Sequence, residues 1–121
     1  MQYISNKQEE RFKELLLRAK LKYKDKERQS LFYLIAGNND LYKQVDKIYD
    51  FKKQQLQCID EDGEVNLECI FVSSSSNALL KLGLELYNQS TAISMNQVFR
   101  NLDDNNNKLA INAIKIRYSI Y

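Results

Sequence analysis

The sequence predicts a mostly α-helical single domain, a compact bundle of about five or six helices that spans residues 1–121. Three observations predict this fold. The chain has no proline and only three glycines, so little in it interrupts a helix. Apolar residues recur at helical spacing along most of its length. With 44% hydrophobic residues, a chain of this size can bury a core without disulfides or metal.

The first two helices begin at capping residues. Ser5 or Asn6 opens the first helix, because each is followed three residues later by glutamine or glutamate, as in a capping box. Asp25 can cap the second helix. Apolar residues 31–36 then cover most of the circumference of that helix. A helix that is apolar on nearly all sides is typical of a buried, central position.

Gly37 is expected to end this second helix, because glycine readily takes the left-handed conformation that follows a helix C-terminus. Asn39 or Asp40 is then placed to cap a third helix. The inner face of the third helix carries apolar residues at helical spacing, namely Leu41, Val45 and Ile48.

Residues 56–71 interrupt the helical pattern and predict either a short β-hairpin or an ordered acidic loop. Asp62 and Gly63 form a dipeptide that is typical of hairpin turns. Apolar and polar residues alternate after it, and a three-residue turn would place Ile59 opposite Val65.

The last third of the chain predicts three more helices from its caps. Four serines at residues 73–76 can begin a largely buried helix over residues 77–88. Ser94 and Gln97 form a capping box for a short helix, and residues 103–105 can cap the last one. Residues 114–121 alternate apolar and polar side chains, so they are predicted as either the end of that helix or a terminal strand.

Positive charge is concentrated in the first half of the chain. Residues 1–55 carry 13 basic and 8 acidic side chains, a net charge of +5, whereas the remainder carries a net charge of −3. If residues 18–28 were helical, their basic side chains would align in two i,i+4 rows and could bind nucleic acid. The residues of this basic stretch are Arg18, Lys20, Lys22, Lys24, Lys26 and Arg28. A helix-turn-helix at residues 36–39 is a weaker alternative, because its reading helix would have three aspartates and no arginine.

The composition argues against the common catalytic and metal sites. The chain has no histidine, which removes the usual neutral-pH base and the commonest metal ligand. Cys58 and Cys69 are expected to be reduced thiols, and two cysteines alone cannot complete a zinc site. A calcium loop centred on Gly63 would place these cysteines at two ligand positions. We therefore expect no metal, no cofactor and no enzymatic activity; an enzyme that uses carboxylates or a thiol is the remaining alternative.

Tyrosines suggest an interaction surface instead. Eight tyrosines is a high number for a small domain, and tyrosine is favoured at protein interfaces. Tyr23, Tyr42, Tyr49 and Tyr121 are the ones expected to be exposed. Together with the basic stretch, the first three are the candidate interaction residues of a non-enzymatic protein-interaction or regulatory module, for which a homo-oligomer is also conceivable. The chain shows no secretory signal and no apolar run long enough to cross a bilayer, so a cytoplasmic protein is expected.

Three segments of the chain also resemble a known group of proteins. They are residues 31–42 with 48–51, residues 73–76 leading to 86–88, and residues 109–118. Together they resemble an uncharacterised family of small single-domain proteins from low-GC Gram-positive bacteria and their mobile elements. The resemblance implies a bacterial cytoplasmic setting, with a link to a prophage or similar element, and it brings no activity or site residues with it.

Overall fold

The computed structural model describes residues 1–21 and 24–120 and is mostly helical, as predicted. One small antiparallel sheet lies between the fourth and fifth of the seven described helices. The elements in chain order are α1 (Asn6–Arg18), α2 (Lys26–Gly37), α3 (Asn39–Lys43), α4 (Val45–Ile48), β1 (Tyr49–Asp50), β2 (Gln55–Leu56), α5 (Ser74–Leu86), α6 (Met95–Asn101) and α7 (Asp104–Tyr118). None of the described helices combines the length and the apolar character that a membrane crossing requires.

Helix α2 is the centre of the bundle. It packs against α1, α5 and α7, and every residue from 29 to 36 in it is buried. Asp25 caps it by accepting a hydrogen bond from the Arg28 amide, at 3.0 Å. The prediction of a buried central helix with an Asp25 cap is therefore confirmed.

The end of α2 differs from the prediction in two ways. Gly37 is the last residue of α2 and does not have a positive φ. A glycine is needed there because α7 passes so close that a Cβ atom would lie 2.3 Å from Cδ2 of Leu109. The cap of α3 is Asn38, whose side chain accepts from the Leu41 amide, rather than Asn39 or Asp40.

The predicted third helix is split into α3 and α4 at Gln44, which accounts for the seventh described helix. The Gln44 side chain amide binds the backbone of Phe71 twice, donating to its carbonyl at 2.9 Å and accepting from its amide at 3.0 Å. Leu41, Val45 and Ile48 are nevertheless all buried, as their spacing predicts.

A small hairpin is present, but its strands lie earlier than predicted. Strand β1 pairs with β2 through Tyr49 opposite Leu56. Ile59 and Val65 do face each other, as the turn spacing predicts, but only as an isolated bridge. The acidic turn between them is closed by Asp60, whose carboxylate accepts from two backbone amides within the turn.

The caps predicted for the last helices are confirmed. Ser73 caps α5, Ser94 caps α6 in a full capping box, and Asp103 caps α7. The alternative of a terminal strand is wrong, because α7 continues to Tyr118. Its inner face packs against α2 and α5, and Arg117 near its end donates to the Leu86 carbonyl at 2.7 Å.

Candidate functional site

The basic stretch predicted as a binding surface is not one continuous helix. Helix α1 ends at Arg18, Lys20 has a φ of 51°, and α2 begins only at Lys26. The two i,i+4 rows of cations that a helix over residues 18–28 would form are therefore absent from the described part of the stretch. Lys22 and Tyr23 lie outside the described residues.

The two arginines of this stretch bind other parts of the same chain. Arg18 forms an ion pair with Asp46 at 2.7 Å, and its guanidinium lies 4.0 Å from the centre of the Phe51 ring. Arg28 pairs with Asp25 at 2.6 Å and donates to the hydroxyl of Tyr49 at 3.0 Å. Both arginines thus hold the hairpin and the start of α2 in place. Lys20 and Lys24 are exposed.

The candidate tyrosines differ in their surroundings. Tyr49 is fully buried, so its predicted exposure is wrong: its ring centroid lies 5.1 Å from that of Phe32. The chain enters β1 directly from the buried face of α4, and burial raises the pKa of Tyr49. Tyr42 is half-buried; its hydroxyl donates to Glu14, and the Arg11 guanidinium lies 4.2 Å from the ring centre. Tyr121 lies outside the described residues.

Within residues 1–21 and 24–120, no three histidine, cysteine or acidic side chains are grouped so that they could hold a metal ion. The second helix of the helix-turn-helix alternative is α3, which has only five residues. Such a helix is about 7 Å long, too short to present a recognition face to a DNA groove.

The two cysteines are free thiols in different environments. Cys58 is buried and Cys69 is exposed. Burial raises the pKa of the Cys58 thiol to about 11. Because the thiolate is the reactive form, Cys58 is protected both by its low ionised fraction and by the surrounding protein.

At neutral pH we therefore expect Ellman's reagent to modify Cys69 quickly and Cys58 only after the chain unfolds. The absorbance of the released thionitrobenzoate should show one fast equivalent per native chain and a second one in denaturant. Cys69→Ser should remove the fast phase. Two fast equivalents from native protein would contradict the buried position of Cys58.

A groove on the surface is the strongest candidate for a binding site. It runs between the N-terminal segment, residues 1–4, and one face of α7, and we call it the α7 groove. Two adjoining cavities of about 830 and 390 Å³ form it, and they share Gln2 and Asn112. Its lining residues are Met1, Gln2, Tyr3, Ile4, Lys26, Asn105, Asn107, Lys108, Ile111, Asn112, Lys115, Ile116, Ser119 and Ile120.

Both walls of the α7 groove are held by one buried tyrosine of α2. The Tyr33 hydroxyl donates to the Gln2 carbonyl at 2.6 Å and accepts from the Asn112 side chain at 2.9 Å. Gln8 adds a second attachment: it accepts from the Ile4 amide at 2.7 Å and donates to the Tyr33 carbonyl at 3.0 Å. The groove is therefore a built feature of the fold.

The chemistry of the α7 groove is apolar and cationic. Met1, Ile111 and Ile120 are exposed to 64%, 46% and 52% although they are large hydrophobic residues. Among the residues that the structure describes, the charged side chains that line the groove are all lysines, and none of their ammonium groups has an ion pair or a hydrogen bond there. These lysines are Lys26, Lys108 and Lys115. Of the candidate interaction residues that the structure describes, Lys26 alone lies here.

The sequence contained part of this signal. Lys108, Ile111 and Lys115 recur at helical spacing. This pattern predicts a solvent-facing side of α7 that carries an isoleucine between two lysines. The other wall could not be found in that way, because it is placed by contacts between residues that lie far apart in the chain.

A second groove runs along α5. Its cavities, about 480 and 430 Å³, meet at Lys81 and Thr91. One end is lined by Arg100, whereas the other end is lined by Glu64 and Glu68. This groove is more polar and of mixed charge, so it indicates no single class of ligand.

Comparison with known proteins finds one family. The model of a family of unknown function (DUF6075) matches residues 1–121. No curated protein and no solved structure matches the chain. The match supports the resemblance to an uncharacterised single-domain family.

Proposed function

The chain belongs to DUF6075, a family of unknown function, and from its structure we propose that it is a non-enzymatic protein-interaction module. It holds a segment of a partner protein in the α7 groove. The resemblance of its segments to proteins of low-GC Gram-positive bacteria supports a cytoplasmic, accessory or regulatory role, encoded by a phage or another mobile element.

The observation that carries the proposal is a set of exposed apolar side chains along the two fixed walls of the α7 groove. Large hydrophobic side chains that cluster on a surface commonly mark an interaction site. Here Met1, Ile111 and Ile120 share one groove. Because the Tyr33 hydroxyl holds both walls, a ligand would not have to order them on binding, which lowers the entropic cost of association.

Other functions have less support in the described residues. The charged side chains among the described lining residues of the α7 groove are all lysines, without a carboxylate to act as an acid or base partner. The nucleic-acid alternative loses the two arginines of the basic stretch, because Arg18 and Arg28 are already paired with carboxylates. Binding of a protein segment therefore fits the observed surface best.

The test is to capture the partner by a crosslink from the groove and then to measure its affinity for the protein. A photocrosslinking amino acid at position 111 should capture a protein in the source cells, and the same group at Lys43 should not. The captured protein is then purified and titrated directly. Ile111→Glu should weaken its binding at least about tenfold, because it replaces an exposed apolar side chain of the groove with a charged one.

Lys43→Glu is the matched control, since Lys43 is exposed and lies outside both grooves. It should leave the affinity unchanged. Equal binding by wild type and Ile111→Glu, with both variants folded by circular dichroism, would overturn the proposal. So would the absence of any capture that depends on position 111.

A further inference from the structure

We infer that the segment bound in the α7 groove is an acidic amphipathic helix of the partner protein. This inference rests on the proposed function and names the chemistry of its ligand. Three features carry it: the sign of the charges, the state of the backbone groups along the walls, and the length of the groove.

The charged side chains of the described groove lining are all of one sign. Lys108 and Lys115 are seven residues apart on α7, two helical turns or about 10.5 Å, and Ile111 lies between them on the same face. The nearby Glu27 carboxylate lies 3.7 Å from the Arg117 guanidinium, so a charged partner is already available to it within the chain. A ligand with an apolar side chain for Ile111 and a carboxylate one turn away on each side would match this pattern.

The walls favour a helix over an extended strand. A strand added to a protein edge takes its affinity from main-chain hydrogen bonds. In the N-terminal wall, however, the Gln2 carbonyl already accepts from Tyr33 and the Ile4 amide already donates to Gln8. The other wall is a helix, whose backbone groups bond internally. A ligand helix satisfies its own backbone and needs only side-chain contacts, which are what the groove provides.

The groove has room for such a helix. Its lining on α7 extends from Asn105 to Ile116, about 16 Å of helix length or about three turns, and it continues past the end of α7 at Ser119 and Ile120. A helix of four turns presents three or four apolar side chains along one face. Anionic polymers such as nucleic acid would pair with the lysines but leave the apolar side chains between them uncovered.

The experiment uses the whole chain and a defined probe. The probe is a fluorescent helical peptide of about four turns, with leucines at i, i+4 and i+7 and glutamates on both sides of them. Fluorescence anisotropy should show saturable binding that weakens as salt is added. Two matched peptides, one with leucines replaced by alanine and one with glutamates replaced by lysine, should bind at least about tenfold more weakly.

Charge reversal in the protein gives a more specific test than the peptide variants do. Lys108→Glu combined with Lys115→Glu should weaken binding of the acidic peptide at least about tenfold and strengthen binding of the lysine peptide. Lys43→Glu combined with Lys52→Glu changes the net charge equally at exposed positions outside the groove, and should leave both affinities within about twofold. Circular dichroism of each variant confirms its fold, and the exchange of peptide preference cannot arise from unfolding.

The outcomes separate this inference from the proposed function. In one outcome, position 111 captures a partner while wild-type protein fails to bind the acidic peptide and the Lys108→Glu, Lys115→Glu variant fails to prefer the lysine peptide. That result overturns the acidic-helix inference and leaves the interaction function in place. If the variants bind the acidic peptide as well as wild type does, the groove is not its site and the inference also fails. Tighter binding of anionic phospholipid vesicles or of a DNA duplex than of the peptide would likewise overturn it.

Discussion

Asn38→Ala is expected to lower the free energy of unfolding by about 3 kcal/mol, more than any surface substitution. Asn38 is 8% exposed and lies where the first turns of α3, α5 and α7 meet. Its side chain accepts from the Leu41 amide at 3.0 Å, which caps α3. It also donates to the Ser76 hydroxyl at 3.0 Å and to the Asn106 carbonyl oxygen of the side chain at 3.1 Å.

The size of this effect follows from what alanine leaves behind. Loss of a helix cap costs about 1 kcal/mol. A buried acceptor on Asn106 then has no donor in the network, and such an unsatisfied group costs about 1–3 kcal/mol. Asn106 keeps its bond to Ser75, at 2.8 Å, so the network is damaged rather than removed.

Urea denaturation of the purified variant measures the loss. Asn39→Ala is the matched control, because it removes the same side chain one residue later. Asn39 is exposed, and its side chain accepts a hydrogen bond from Arg11 at the surface, so its replacement should cost less than about 1 kcal/mol. Similar midpoints for the two variants would show that the buried network contributes little to stability.

Gly37→Ala is expected to destabilise the protein by about 2 kcal/mol, although alanine is the better helix former by about 1 kcal/mol. The added methyl group would lie 2.3 Å from Leu109 Cδ2 and 2.9 Å from the Gln8 side chain nitrogen. Leu109 is fully buried on the inner face of α7, so its side chain has little free space into which it could move.

A double-mutant cycle tests this cause directly. Leu109→Ala alone should cost about 2–5 kcal/mol, as for other buried leucines. In that background, however, Gly37→Ala should be close to neutral or slightly stabilising, because the main steric conflict is gone. The coupling between the two substitutions should therefore exceed about 1 kcal/mol. Additive effects in denaturant titrations would show that contact with Leu109 is not why position 37 is glycine.

The features that could be predicted from the sequence are local ones. Caps at Ser5, Asp25, Ser94 and Asp103 depend on a side chain and an amide two or three residues later, and all four are present. The burial of residues 31–36 follows from their uniform apolar character. The facing pair of Ile59 and Val65 follows from a turn of known length.

The sequence-based predictions that are wrong concern residues whose role depends on partners far away in the chain. Asn38, Asn39 and Asp40 are equally good caps by local chemistry, and only contacts with Ser76 and Asn106, 38 and 68 residues away in the chain, select Asn38. Arg18 was predicted to be available for a ligand, but it is paired with Asp46, 28 residues away. The candidate site is the α7 groove and not the basic stretch for the same reason, because contacts between remote residues pair the arginines and form the groove.

The sequence by itself determined a helical domain, most of its caps and its central helix, because backbone conformation and apolar periodicity act over a few neighbouring residues. Only the tertiary structure decided which charges are paired and which surface is open. Tyr33 brings the N-terminal segment and α7 to the two sides of one groove. Such a groove depends on packing between segments that are remote in the chain, and no pattern within either segment specifies the other wall.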